Sequence, residues 1–141
     1  MRIIGLVKNI EVDGYERLLT IQATDKVFWC SYLQLDEYLE PGQPSRYVGA
    51  NTSVDLRATL TLVEDFRLTE ENNTKGLVQD IQGSPHAIVV GLITETMASD
   101  VYVLSIDESN KIKVQFEVDV ELNLGDCIRV EGELTLEGDL N

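Results

Sequence analysis

Apolar and polar positions alternate along most of this chain, in short runs separated by turn residues. The turn signals are Asp13-Gly14, Asp25, Pro41-Gly42, Gly49-Ala50-Asn51, Asn72-Asn73, Gly83-Ser84-Pro85, Ser109-Asn110 and Gly125-Asp126. Between them the runs are rich in Val, Ile, Leu and Thr, residues that suit a pleated, half-buried surface. This spacing predicts an all-β protein. Helical spacing is confined to "LQLDEYLEPG", where Leu35, Tyr38 and Leu39 fit about one turn that Pro41-Gly42 stops, with room for a second short helix between 66 and 85.

The clearest alternation is "FEVDVELNLGDCIRVEGELTLEGD", residues 116 to 139. Strand spacing sends Phe116, Val118, Val120 and Leu122 to one face and Glu117, Asp119 and Glu121 to the other. The next segment sets Val130, Gly132, Leu134 and Leu136 against Glu131, Glu133 and Glu137. The expectation is a core face backed by an acidic ladder. Like charges facing one another across a sheet destabilise it. A cationic partner covering the ladder offsets that cost, and twist or the nearby Lys113 and Arg129 offset it in a merely solvated face.

The two halves also resemble each other. "IIGLVKNI" at 3 to 10 aligns with "VVGLITET" at 89 to 96, placing Gly5 opposite Gly91. "LLTIQ" at 18 to 22 aligns with "VLSID" at 103 to 107, and "DKVFWCSYLQL" at 25 to 35 with "NKIKVQFEVDV" at 110 to 120. "VDLRATLTLVED" at 54 to 65 aligns with "IRVEGELTLEGD" at 128 to 139. Four segments recurring in one order point to a tandem repeat.

Within each unit, three strands are followed by a "GDxIxVxGxLxL" strand, carried in the second unit by Gly125, Asp126, Ile128, Val130, Gly132, Leu134 and Leu136. With "LDEYLEPG" in the place of a helix in the first unit, this pattern resembles the oligonucleotide- and oligosaccharide-binding (OB) fold. The resemblance implies a first OB-like β unit at 1–66, a joint at 67–85, and a second, more acidic OB-like β unit at 86–141. Each unit offers four strands where the family has five. Tandem units packed together, and one fused eight- to ten-stranded barrel or sandwich, therefore both remain open. Four strands bury too little apolar surface to stand alone, so the halves should share an interface.

Composition adds a charge argument. The chain has 141 residues, with Lys and Arg numbering 11 against 25 Asp and Glu, for a net charge of -14. Residues 67 to 141 hold 15 acids against 5 bases, whereas residues 1 to 66 hold 10 against 6. Such a chain repels polyanions at long range and attracts basic proteins. Lys8, Asn9 and Glu11 interrupt the N-terminal apolar run, and no run approaches the roughly 18 apolar residues of a membrane span. With Cys30 and Cys127 far apart and without CxxC spacing, the reading is a cytoplasmic protein whose cysteines are thiols.

Little in the chain suits catalysis. The single histidine, His86, follows Pro85 in a turn, with no nucleophile at a recognisable spacing. Metal-binding spacings are absent. "DESN" at 107 to 110 and "DVELNLGD" at 119 to 126 lack the alternating carboxylates and glycine of a calcium loop. No cofactor is expected. The expected function is that of a non-enzymatic acidic module, an inhibitor or immunity-type protein masking a cationic nucleic-acid-processing enzyme or toxin. Its partner-binding residues are Glu117, Asp119, Glu121, Glu131, Glu133 and Glu137.

Two alternatives stand beside it. Aligned with Lys113, Gln115 and Glu117, the residues Phe28, Cys30 and Tyr32 fall on the outward face of their strand, with Trp29 and Leu33 inward. Phe28 and Tyr32 then form a stacking platform for single-stranded bases, with Lys26 and Arg46 for phosphates, as the OB resemblance implies. The third class is an assembly subunit whose exposed strands pair with a neighbour.

Overall fold

The computed structural model describes residues 1–70 and 74–139, so the turn expected at Asn72-Asn73 lies outside the described residues. Ten strands follow one another: β1 (Arg2–Asp13), β2 (Glu16–Gln22), β3 (Val27–Leu33), β4 (Ser53–Val63), β5 (Phe66–Leu68), β6 (Gly76–Val78), β7 (His86–Ala98), β8 (Val101–Ser105), β9 (Lys111–Phe116) and β10 (Cys127–Glu137). All ten belong to one sheet, and no helix occurs among the described residues. The fold is all-β.

The sheet closes on itself through its two long strands. β4 and β10 pair antiparallel, with Leu60 opposite Leu134 and Ala58 opposite Leu136. The meander β1-β2-β3 hangs from β4 through β1 and reaches β10 through a parallel contact of Thr135 with Ser31. The meander β7-β8-β9 hangs from β10 through β7 and reaches β4 through a parallel pairing of Thr59 and Leu60 with Lys113 and Val114. Two five-stranded circuits thus share the β4–β10 pair. Each meander of three strands is completed by one long strand from its own half and one from the other.

Pairing in the two circuits is closely matched. Gly5 faces Val54, and Gly91 faces Ile128. Leu6 faces Gln22, and Leu92 faces Ser105. The glycines have one reason to be glycine, because a Cβ on Gly5 would run into the Gln22 carbonyl oxygen and one on Gly91 into the Ser105 carbonyl oxygen. Inside, Val7, Leu19, Ile21 and Leu60 from the first half join Leu104, Ile112, Val114, Ile128 and Leu134 from the second in one buried cluster. Cys30 and Cys127 are buried thiols.

The structure corrects three expectations. Residues 35 to 39 form turns, not a helix. Gly14 and Leu39 exchange backbone hydrogen bonds at 2.7 and 3.0 Å, which holds this segment against the β1–β2 turn in extended form and leaves Leu35 and Tyr38 exposed. Second, the alternating stretch after Phe116 is not a strand. β9 stops at Phe116, Glu117 N–H donates to Val63 O and Val120 N–H to Ser99 O, so the chain crosses the β7–β8 hairpin and Val118 is 58% exposed.

Third, the phase of β3 is reversed. Leu6 faces Gln22 as Leu92 faces Ser105, and Asn9 faces Thr20 as Glu95 faces Val103, so Thr20 and not the expected Leu18 matches Val103. Trp29 faces Thr20 as Lys113 faces Val103, and Lys113 therefore corresponds to Trp29, one residue beyond Phe28. A one-residue slip exchanges the two faces of a strand. Cys30 and Tyr32 are accordingly buried, as Val114 and Phe116 are, and Leu33 is exposed.

These placements order the cost of mutation. Leu134, fully buried on the shared pair, should lose about 3 to 5 kcal/mol on truncation to Ala. Val118→Ala should cost less than about 0.5 kcal/mol, the range of ordinary surface changes. Urea denaturation of the two variants checks the order, and a Val118→Ala cost near that of Leu134→Ala would place residues 116 to 122 back in the core.

Candidate functional site

The acidic residues read from the sequence do not form one ladder. Glu117, Asp119 and Glu121 lie on the irregular crossing after β9, where Asp119 accepts a hydrogen bond from Ser99 Oγ at 2.8 Å. Glu137 sits at the far end of β10 and pairs with Lys113 at 3.0 Å. Glu131 and Glu133 do project together from β10, opposite the buried Val130, Gly132 and Leu134. The expected ladder is broken because alternation in the sequence continues where the strand does not.

What gathers around Glu131 and Glu133 is a site built from three elements. Between β4 and β5 the chain turns at Glu64 and Asp65, both exposed, and the pairing of β4 with β9 shifts register between Leu60 and Val63. Within that irregularity Leu62 has φ of 56°, in the left-handed region, and its side chain is 55% exposed. A leucine there costs about 1 to 2 kcal/mol relative to the right-handed region. Its counterpart by sequence, Leu136, is buried. The two long strands therefore diverge at this point.

Leu62 and Glu133 stand where two hollows meet. One, of about 550 Å³, is lined by Glu64, Asp65, Arg67, His86, Arg129 and Glu131. The other, of about 790 Å³, lies under the 41–45 loop and is lined by Glu11, Asp13, Glu16, Leu18, Pro41 and Pro44. Together they make an acidic groove with an apolar residue at its centre. Glu131 is held by Arg129 at 2.8 Å and has His86 Nε2 at 3.8 Å, with Asp80 at 3.9 Å from the other ring nitrogen. Glu64, Asp65 and Glu133 take part in no ion pair among the described residues.

The loop that roofs the second hollow is anchored by a buried ion pair. Arg17, 2% exposed, donates from Nη2 to Glu37 O at 2.7 Å and Glu37 Oε1 at 3.2 Å, and from Nη1 to Gly14 O and Glu16 O. Glu37 also accepts from Ser45 Oγ at 2.6 Å and from Arg46 N–H at 2.8 Å. The Ser45 hydroxyl bond leads in holding the Glu37 carboxyl down to about 2; burial opposes it, and the Arg46 N–H and Arg17 guanidinium assist. Burying charge is tolerable only when it is paired and hydrogen-bonded in this way.

The four residues of the base-stacking alternative are not brought together. Tyr32 is 3% exposed and its hydroxyl donates to Gly138 O at 3.2 Å. Phe28 is half-buried, with Lys26 Nζ 5.0 Å above its ring and donating to Leu77 O. Arg46 lies on the 41–48 loop beside Glu37 and over the Tyr47 ring. One aromatic ring is inside the barrel and the second cation is elsewhere, so no platform forms on β3.

Among the described residues no cluster of three or more His, Cys, Asp or Glu is arranged to hold a metal ion. Burial pushes the Cys30 thiol up to about 12, so it stays protonated. Comparison of the chain with protein-family models, with curated proteins and with solved structures finds no match. The groove must be read from its own chemistry.

Leu62 and Glu11 escaped the sequence reading for different reasons. Leu62 occupies an apolar slot in "LTLV", and nothing local signals that its backbone turns left-handed. Glu11, Asp13 and Glu16 meet the second half only because the circuits interlock.

Two measurements follow. Leu62→Gly should raise the denaturation midpoint, since glycine adopts this φ without strain, although a leucine-to-glycine change in a regular strand lowers it. An ordinary loss of stability would show that Leu62 is unstrained. For Glu37, the folded value of about 2 lies below the ordinary 4.5, so its contribution is complete above about 4.5 and is lost as pH falls towards 2. The stability difference between wild type and Glu37→Gln should therefore shrink across that window in pH-dependent thermal melts, and a constant difference would refute the assignment.

Proposed function

We propose that this protein is a non-enzymatic acidic module, acting in the cytoplasm, that binds a basic protein through the groove centred on Leu62 and Glu133. The observation that carries the reading is the strained, exposed Leu62 set among carboxylates from three elements, with Glu64, Asp65 and Glu133 free of ion pairs among the described residues. An apolar centre with a charged rim is the composition of a protein interface. Strain of this kind persists where the surrounding structure enforces it, and it gathers at functional positions. The uncompensated carboxylates suit a partner bearing Lys and Arg. An inhibitor or immunity-type protein that masks the cationic surface of a nucleic-acid-processing enzyme or toxin fits this description.

The OB-fold likeness bears on architecture. Each circuit has five strands, the number in that family, because the strand each half lacks comes from the other. The nucleic-acid alternative has no exposed platform on β3 to support it.

The test compares two double reversals of equal charge, Glu131→Lys with Glu133→Lys, and Glu95→Lys with Glu108→Lys on exposed positions away from the groove. Each, and wild type, is used to capture proteins from host extract at low salt, with quantitative identification of what is retained. A basic protein held by wild type and by the Glu95/Glu108 variant, but lost from the Glu131/Glu133 variant, is the expected result. Association with that protein should slow as salt rises and the Debye length shrinks from about 10 Å at 0.1 M to about 3 Å at 1 M. Equal loss from both variants would reduce the attraction to net charge and end the reading.

A further inference from the structure

On the β1–β2 turn, the end of β3 and the segment after it, four large apolar side chains face solvent: Tyr15, Leu33, Leu35 and Tyr38. Their backbones are tied together. Gln34 N–H donates to Tyr15 O at 2.9 Å, and Glu16 pairs with Leu33 across β2 and β3. The Tyr15 and Tyr38 rings meet edge to face, with centroids 5.2 Å apart and planes at 76°. An edge-to-face contact occupies the face of one ring only, and Tyr38 remains 59% exposed.

This exposed ring is held by an unusually firm mount. On one side of Tyr38, Glu37 is locked by Arg17, Ser45 and Arg46; on the other, Leu39 exchanges two hydrogen bonds with Gly14. A buried ion pair and a backbone bridge therefore fix an aromatic side chain that contributes little to the core. A rigid aromatic presented to solvent lowers the ordering cost of binding.

The surrounding charge names the occupant. Asp13 and Glu16 flank Tyr15 along the chain, Asp36 and Glu40 flank Tyr38, and all four are exposed. The basic residues between 13 and 40 are Arg17 and Lys26, the first buried with Glu37 and the second seated on Phe28. Two half-buried rings take cations from the chain itself, Phe28 from Lys26 and Tyr47 from Arg46, at 5.0 and 5.3 Å. Tyr15 and Tyr38 have none among the described residues. We infer that the Tyr15–Tyr38 pair is a seat for an arginine side chain of a basic protein partner, its guanidinium stacked on a tyrosine face and paired with the neighbouring carboxylates. Arginine fits better than lysine because its planar group both stacks on an aromatic ring and engages a carboxylate with two donors. The seat shares Asp13 and Glu16 with the wall of the second hollow, but Tyr15, Tyr38, Asp36 and Glu40 line neither hollow, so it does not require Leu62, Glu131 or Glu133.

Capped nona-arginine and nona-lysine peptides serve as probes, titrated calorimetrically at matched ionic strength into three proteins: wild type, Tyr15→Ser with Tyr38→Ser, and Glu131→Lys with Glu133→Lys. Wild type should prefer nona-arginine by about fivefold. The tyrosine variant should lose that preference while its affinity for nona-lysine changes by less than about twofold, because the carboxylates remain and the substituted rings lie outside the core. The groove variant should keep the preference, whatever happens to both affinities together. If both are unchanged there, the groove reading fails and the seat stands. Equal binding of the two peptides by wild type, no binding of either, or a preference that survives the tyrosine substitutions would overturn the seat. So would a wild-type dimer in sedimentation equilibrium that the tyrosine variant dissolves, since a second copy would then be the occupant.

Discussion

The antiparallel pairing of β4 with β10, Leu60 opposite Leu134, is the contact on which the rest depends. Three strands cannot close a barrel, and a three-stranded meander left open exposes two edges and one apolar face. Here each meander is clasped on one side by the long strand of its own half and on the other by the long strand of the opposite half. Removing the pair would open both circuits at once. The buried cluster draws on both halves for the same reason, since the inward faces of β4 and β10 belong to both circuits.

Close matching of the two halves also shows where they part. Up to Leu60 and Leu134 the pairings correspond, and past them β10 continues regularly to Leu136 while β4 turns at Leu62, leaves the ladder and re-enters it as β5. The connection from β3 to β4 departs in the same way: residues 34–52 form an anchored loop, whereas 117–126 make a short crossing from β9 to β10. Both departures belong to the first half, and both border the acidic groove. The matched pairings of the two halves form the common frame, and the groove lies where the first half departs from it.

Much of this was legible. Strand-forming runs and their turns mark nearly every element, and the faces of β10 follow directly from "VEGELTLE", because alternation is a sound guide wherever both neighbours of a strand are present. Beyond Phe116 the same alternation misleads. Glu117, Val118 and Val120 continue the pattern, yet the bonds of Glu117 N–H to Val63 O and of Val120 N–H to Ser99 O replace a ladder, and periodicity cannot report which partner a strand has lost. On β3 an apolar run, "VFWCSYL", carries no phase of its own, so matching it to β9 one residue out turns Tyr32 outward and Leu33 inward. Tyr38 shows the same limit from the other side. Its spacing with Leu35 is helical, and the Gly14–Leu39 backbone bonds and the buried Arg17–Glu37 pair, both formed between residues distant in sequence, decide otherwise.

That ion pair sits in a chain with 25 acids and 11 bases. Scarce cations would relieve more repulsion if they were spread among surface carboxylates, where each loses little hydration. Arg17 is instead taken out of solvent and committed to one carboxylate and three carbonyl oxygens. A buried pair is a weak source of net stability, but breaking it is costly, so it fixes geometry. The geometry it fixes is that of the loop roofing the groove and of Tyr38 beside it. Meanwhile Glu11, Asp13 and Glu16 from the first half, Glu64 and Asp65 from the β4–β5 turn, and Glu131 and Glu133 from the second half converge on the same side of the barrel. Their potentials add only because the circuits interlock. The acidity of this surface is thus a product of the fold as much as of composition, and either half alone would carry only part of it.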